Sequence, residues 1–106
     1  MLQDLDTAEF KVGGKVKSLS RTITDGDFAA IVNNIWDTHP LHIDEEYMKT
    51  TIFGRRILSG PAIIALCSGL SNYPLMAMCR HSKLHMITAL GIDNARYTAP
   101  FYSGDT

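Results

Sequence analysis

The spacing of hydrophobic positions changes several times along the chain, and each change predicts an element. Over Lys15 to Thr24 (KVKSLSRTIT), Val16, Leu19 and Ile23 lie among polar residues behind a Gly13-Gly14 turn signal, which predicts a strand. The period then lengthens. Phe28, Ile31, Val32, Ile35 and Trp36 recur at helical spacing, and Thr24 with Asp27 has the S/T-x-x-D/E pattern of a helix start, so a helix is predicted that ends near Trp36. Asp44 to Thr51 predicts a short second helix, and Phe53-Gly54-Arg55-Arg56 a loop. From Ser59 to Asn72 nearly every face is apolar or small. Ile63, Leu66, Cys67 and Leu70 form a bulky stripe and Ala62, Ala65 and Gly69 line another side, which predicts a buried helix that a sheet can wrap closely. Tyr73 to His85 reads as irregular, with Met76, Met78 and Met86 as core fillers. Ile87 to Phe101 regains strand character, with Gly91 marking a bulge or a close backbone approach, and Ser103 to Thr106 is a turn signal with no element after it.

Two carboxylates, two histidines and a proline fall in one short stretch, WDTHPLHID, residues 36 to 44. Asp37 and His42 are five apart, and a continuous helix would set them about 140° apart, on different faces. Pro40 forbids that helix, because it disfavours the α conformation at His39 and cannot donate a helical hydrogen bond. The chain must turn, and the turn can bring His42 back beside Asp37. Three readings follow: a catalytic pair, a metal site built from Asp37, His39, His42 and Asp44, or a polar turn at a helix end. His81 and His85 are four apart and read as solvated surface residues. Ser59 reads as a helix cap rather than a nucleophile, since no G-x-S-x-G elbow surrounds it.

Composition narrows the class. A chain of 106 residues, 45% hydrophobic and 20% charged, has the make-up of one folded domain rather than a disordered tail. The net charge of -1 and the lack of a basic run argue against nucleic acid as a partner. The N-terminus carries no signal pattern, and the longest apolar segment, Pro61 to Leu70, is too short to span a bilayer, so no membrane partner is expected. Cys67 and Cys79 have no C-x-x-C spacing and read as free thiols of a cytoplasmic protein.

The run D-T-H-P-L-H-I-D from Asp37, the T-I-F-G-R-R-I after it, and S-G-P at the head of the apolar helix resemble the MaoC-like (R)-specific enoyl-CoA hydratases. The likeness extends from about Phe10 to Thr106, so the whole chain is expected to be a single MaoC-like domain, residues 1 to 106. The resemblance implies an α+β hot-dog fold, an antiparallel sheet wrapped around the central helix. It also implies reversible addition of water across the 2,3 double bond of an enoyl thioester, giving an (R)-3-hydroxyacyl thioester. Asp37 matches the carboxylate that takes the proton of water, and His42 the imidazole that holds the same water and serves the α-carbon. Gly60 matches the helix-terminal N–H that receives the developing negative charge of the thioester oxygen. Ser59, Pro40, Phe53, Arg55 and Arg56 are the candidate substrate-binding residues, the two arginines, like Arg80 and Lys83, as possible phosphate partners of coenzyme A.

No metal and no cofactor is implied beyond coenzyme A or acyl carrier protein as the substrate's carrier, and a homodimer is expected. The chain departs from the family pattern at His39, where asparagine is usual, and at Ser59-Gly60-Pro61, where histidine-glycine precedes a larger residue. Family members continue beyond Gly104-Asp105-Thr106, so further strands are expected after residue 106. A chain lacking them is expected to be weakly stable or rescued by pairing. The rival readings are a hot-dog thioesterase, which directs water at the carbonyl carbon, and a non-catalytic acyl-binding or structural subunit.

Overall fold

The computed structural model describes residues 12 to 81 and 88 to 106. Among them are five helices: α1 (Asp25–Asn34), α2 (Pro40–Ile43), α3 (Glu45–Lys49), α4 (Gly60–Leu70) and α5 (Asn72–His81). The chain falls into two compact units, one of Ser20–Leu66 with Arg96–Thr106, the other of Met1–Leu19 with Cys67–Ala95. The first unit holds Asp37, His42 and Gly60.

Helix α1 begins as its sequence pattern requires. The Thr24 side chain accepts from the Asp27 N–H at 3.1 Å, and the Asp27 carboxylate accepts from the Thr24 N–H at 3.1 Å, a reciprocal capping box. The helix buries Phe28 and Val32, which form a core with Leu58 and Ala62, and Ile31, Ile63, Leu66 and Phe101 pack against it. Its end is less ordinary. The Asp37 N–H donates to the Val32 carbonyl and the Trp36 N–H to the Asn33 carbonyl, the paired bonds of a Schellman turn. Trp36 therefore occupies the left-handed position at φ 60°, where glycine is the usual resident, and its indole is 87% exposed.

The chain then starts and stops two short helices within ten residues. His39 caps α2, its Nδ1 accepting from the Leu41 N–H at 3.1 Å, with Pro40 as the first helical residue, where an N–H would have no partner anyway. Asp44 caps α3 in the same way, accepting from the Tyr47 N–H at 2.9 Å.

Four expectations change. No strand occurs among the described residues: the segments expected as strands, Lys15 to Thr24 and Ile87 to Phe101, are without regular pairing wherever they are described. A strand needs a partner over several residues, and here pairing is limited to isolated bonds, Ile23 with Gly104 and Asp105, and Leu58 with Phe101. Helix α4 forms, but only Ala62 of it is buried, since no sheet among the described residues covers its other faces. Of the residues from 73 to 85, expected to be irregular, 73 to 81 are helical, because Pro74 sits in the first turn, where its missing N–H costs nothing. Residues 60 to 80 together make a stretch long and apolar enough by length and composition to cross a bilayer, with 17% of it buried, which corrects the expectation on segment length. Lys83, His85, Met86 and Ile87 lie outside the described residues.

A left-handed residue with a Cβ costs about 1 kcal/mol or more, and the exposed Trp36 ring buries little to offset it. Trp36→Gly is expected to raise unfolding stability by about 1 kcal/mol, read as a higher urea midpoint by circular dichroism. The Thr24 backbone N–H, then its hydroxyl, and finally Arg21 hold the Asp27 carboxyl below its ordinary 3.8. A depressed folded-state pKa means that the stabilisation is present above that ordinary value and is lost as the pH falls through the folded one. Asp27→Asn should flatten this part of the acid unfolding limb, and an unchanged limb would show that the box contributes nothing.

Candidate active site

Pro40 does what its chemistry predicts. The turn it enforces lets α2 carry His42 back toward Asp37, and His42 Nε2 stands 3.7 Å from Asp37 Oδ2. The imidazole is buried, its other nitrogen, Nδ1, lying 2.7 Å from the Ile57 carbonyl oxygen. A carbonyl can only accept, so Nδ1 carries a proton and donates it, and when the ring is neutral it is Nε2 that presents a lone pair toward the carboxylate. Ile57 is held in turn, its N–H donating to the Leu41 carbonyl at 3.1 Å. The ring's orientation and tautomer are thus set by backbone.

Two acceptors 3.7 Å apart make no hydrogen bond to each other. They are spaced so that one water molecule can donate a hydrogen bond to each.

Asp37 and His42 share a cavity of about 580 Å³ with Ser59, Gly60 and Pro61, the entry to α4. Its remaining wall is mainly apolar, with Phe53, Ile57, Ile63 and Phe101, and with Tyr97 across from them in the sequence order. A Cβ at Gly60 would lie 2.5 Å from the Tyr97 ring, so a larger residue there would have to displace that exposed ring. Ser59 is 4% exposed and its hydroxyl has no hydrogen-bond partner, so it is not the expected cap. A capping hydroxyl accepts from the second or third helical N–H: Pro61 at the second position has none to give, and the Ser59 hydroxyl does not take the Ala62 N–H at the third.

The structure brings Asp37, His42, Ser59, Gly60 and Phe53 to one cavity and leaves Pro40, Arg55 and Arg56 off its wall. Pro40 acts on the chain's path instead. Arg56 is bound by Glu45, with Nε 2.6 Å from Oε2, and lies over the Phe28 ring, while Arg55 stacks on Tyr102 at 4.1 Å. Both line a second cavity with Thr22, Asp25 and Ser103. The metal reading also loses its members: His39 and Asp44 spend their side chains on helix starts, and among the described residues no three potential ligands stand together.

Two contributors carried no signal. Ile57 acts through its carbonyl, which no residue type reveals, and Tyr97 lies in a stretch that reads only as strand.

The MaoC-like domain model matches residues 8–106. The chain belongs to the MaoC-like domain family. Membership implies the hot-dog fold. The (R)-specific enoyl-CoA hydratase of Rhodospirillum rubrum is 38% identical over 47 residues, 44% of this chain and 33% of that protein. A solved structure, the monoamine oxidase regulatory protein of Archaeoglobus fulgius, superposes with a TM-score of 0.73 at 26% identity, covering 90% of this chain and 61% of that one. This MaoC-like domain thus spans about a third of the hydratase and under two thirds of the regulatory protein.

If the Ile57 bond holds the ring, His42→Ala leaves a buried carbonyl unpaired and should cost about 1–3 kcal/mol of unfolding stability. Asp37→Asn, half-buried and unbonded through its side chain, should stay within about 0.5 kcal/mol of wild type in the same denaturant titration.

Proposed function

We propose that this MaoC-like domain is the catalytic part of a hydratase that adds water reversibly to the 2,3 double bond of an enoyl thioester carried on coenzyme A or acyl carrier protein. The observation that carries the reading is the pair of acceptors, Asp37 Oδ2 and His42 Nε2, 3.7 Å apart on the wall of an apolar cavity that ends at a helix N-terminus. Water held by both loses a proton to the pair as its oxygen bonds to C3. The electron pair of the double bond moves onto the thioester oxygen, and the pair delivers one proton to C2, so that one water is added and the protein is unchanged. The Gly60 N–H, at the positive end of α4, is the donor assigned to the transient oxyanion. The step needs no cofactor beyond the thioester carrier. An α+β architecture with a sheet around α4 belongs to the same reading, as does a homodimer.

A non-catalytic acyl-binding or regulatory subunit is the second reading, favoured by the regulatory description of the Archaeoglobus relative. A thioesterase is the third.

Crotonyl-CoA separates them. Loss of the enoyl absorbance without thiol release supports the hydratase, thiol release without enoyl loss supports the thioesterase, and neither supports the binding subunit. In a hydratase, Asp37→Asn and His42→Ala should each lower kcat by about 100-fold or more, the share that a positioned acid–base group contributes.

A further inference from the structure

The position that an added Cβ would take at Gly60 lies 2.5 Å from Tyr97 Cε2 and Cζ and 2.8 Å from its hydroxyl oxygen. The phenol edge, and not the back of the ring, is therefore laid against the first residue of α4. A Cβ and a nitrogen on the same Cα are about 2.5 Å apart, so Tyr97 Oη lies no more than about 5.3 Å from the Gly60 nitrogen. Two donors at that separation can reach one oxygen between them, each at an ordinary hydrogen-bond length of about 2.9 Å. Tyr97 Oη makes no hydrogen bond with any described residue, its side chain is half-exposed, and it lines the cavity of Asp37 and His42. The same end of α4 is otherwise poor in committed groups: Pro61 has no N–H, and the buried Ser59 hydroxyl is unpartnered.

We infer that Tyr97 is a catalytic residue, the second donor to the thioester carbonyl oxygen, acting with the Gly60 N–H. The inference rests on the hydratase reading. As the water oxygen bonds to C3, the displaced π pair makes the thioester an enolate, and negative charge appears on the oxygen that Gly60 and Tyr97 share. The phenol donates a hydrogen bond without giving up its proton, and the charge returns to C2 when that carbon is protonated. The close fit explains the glycine as well: alanine at position 60 would push the phenol away from the oxygen it serves.

Tyr97→Phe keeps the ring against Gly60 and removes only the hydroxyl, so packing and donation are separated. The full chain and this variant are compared by thermal unfolding, by crotonyl-CoA hydration, and by the enolate absorption band of bound acetoacetyl-CoA, a signal that requires no turnover. The expected result is an unchanged melting temperature, a fall of about 100-fold in kcat with KM nearly constant, and a weakened enolate band. A variant that hydrates and forms enolate as well as wild type leaves Tyr97 a packing residue and overturns the inference, with the hydratase reading intact. A wild-type chain that neither hydrates nor forms enolate overturns both.

Discussion

The hydrogen bond from His42 Nδ1–H to the Ile57 carbonyl joins the turn that carries the reactive pair to the segment that leads into α4. At 2.7 Å and buried, it does two things at once. It decides which imidazole nitrogen is left to face Asp37, and it keeps residues 57 to 60 beside the ring, so that the head of α4 opens on the same cavity. The second bond between these segments, Ile57 N–H to the Leu41 carbonyl, makes the junction two-point and therefore directional. A single tether could swivel, whereas two neighbouring tethers define an angle.

The turn itself is assembled from caps. Between Trp36 and Asp44 the chain ends one helix and starts two more, and each terminus is closed locally: a Schellman turn, then His39, then Asp44. This closure depends on a tryptophan in a conformation that suits glycine, so the geometry at Asp37 is held against a local backbone preference. Because Asp37 donates its own N–H to Val32, the strained residue sits inside the ring of bonds that places the carboxylate.

What the sequence made legible was whatever depends on side-chain type at short range. The Thr24–Asp27 box, the helix over Phe28 and Val32, the Asp44 helix and the proline-enforced meeting of Asp37 with His42 all rest on contacts within six residues, and the family resemblance placed Gly60. Interactions through backbone atoms or across long separations were not legible: the Ile57 carbonyl, fifteen residues from His42, and Tyr97 against Gly60. The surroundings of Arg55 and Arg56 were not legible because a charge shows in the sequence while the group beside it, Tyr102 or Glu45, does not. The expected strands depend on a partner for a related reason: alternation reports suitability for a ladder, and a ladder forms only where a second segment supplies the other side.

The Ser59 side chain has a wider meaning for the chain's capacity to change. Its buried hydroxyl is bound by no backbone N–H, in contrast to the side chains of Thr24, His39 and Asp44, each held by a helix start. Position 59 is therefore the place in this cavity where natural drift or a protein engineer can exchange one small side chain for another and alter the chemistry presented to a substrate while the scaffold stays as it is.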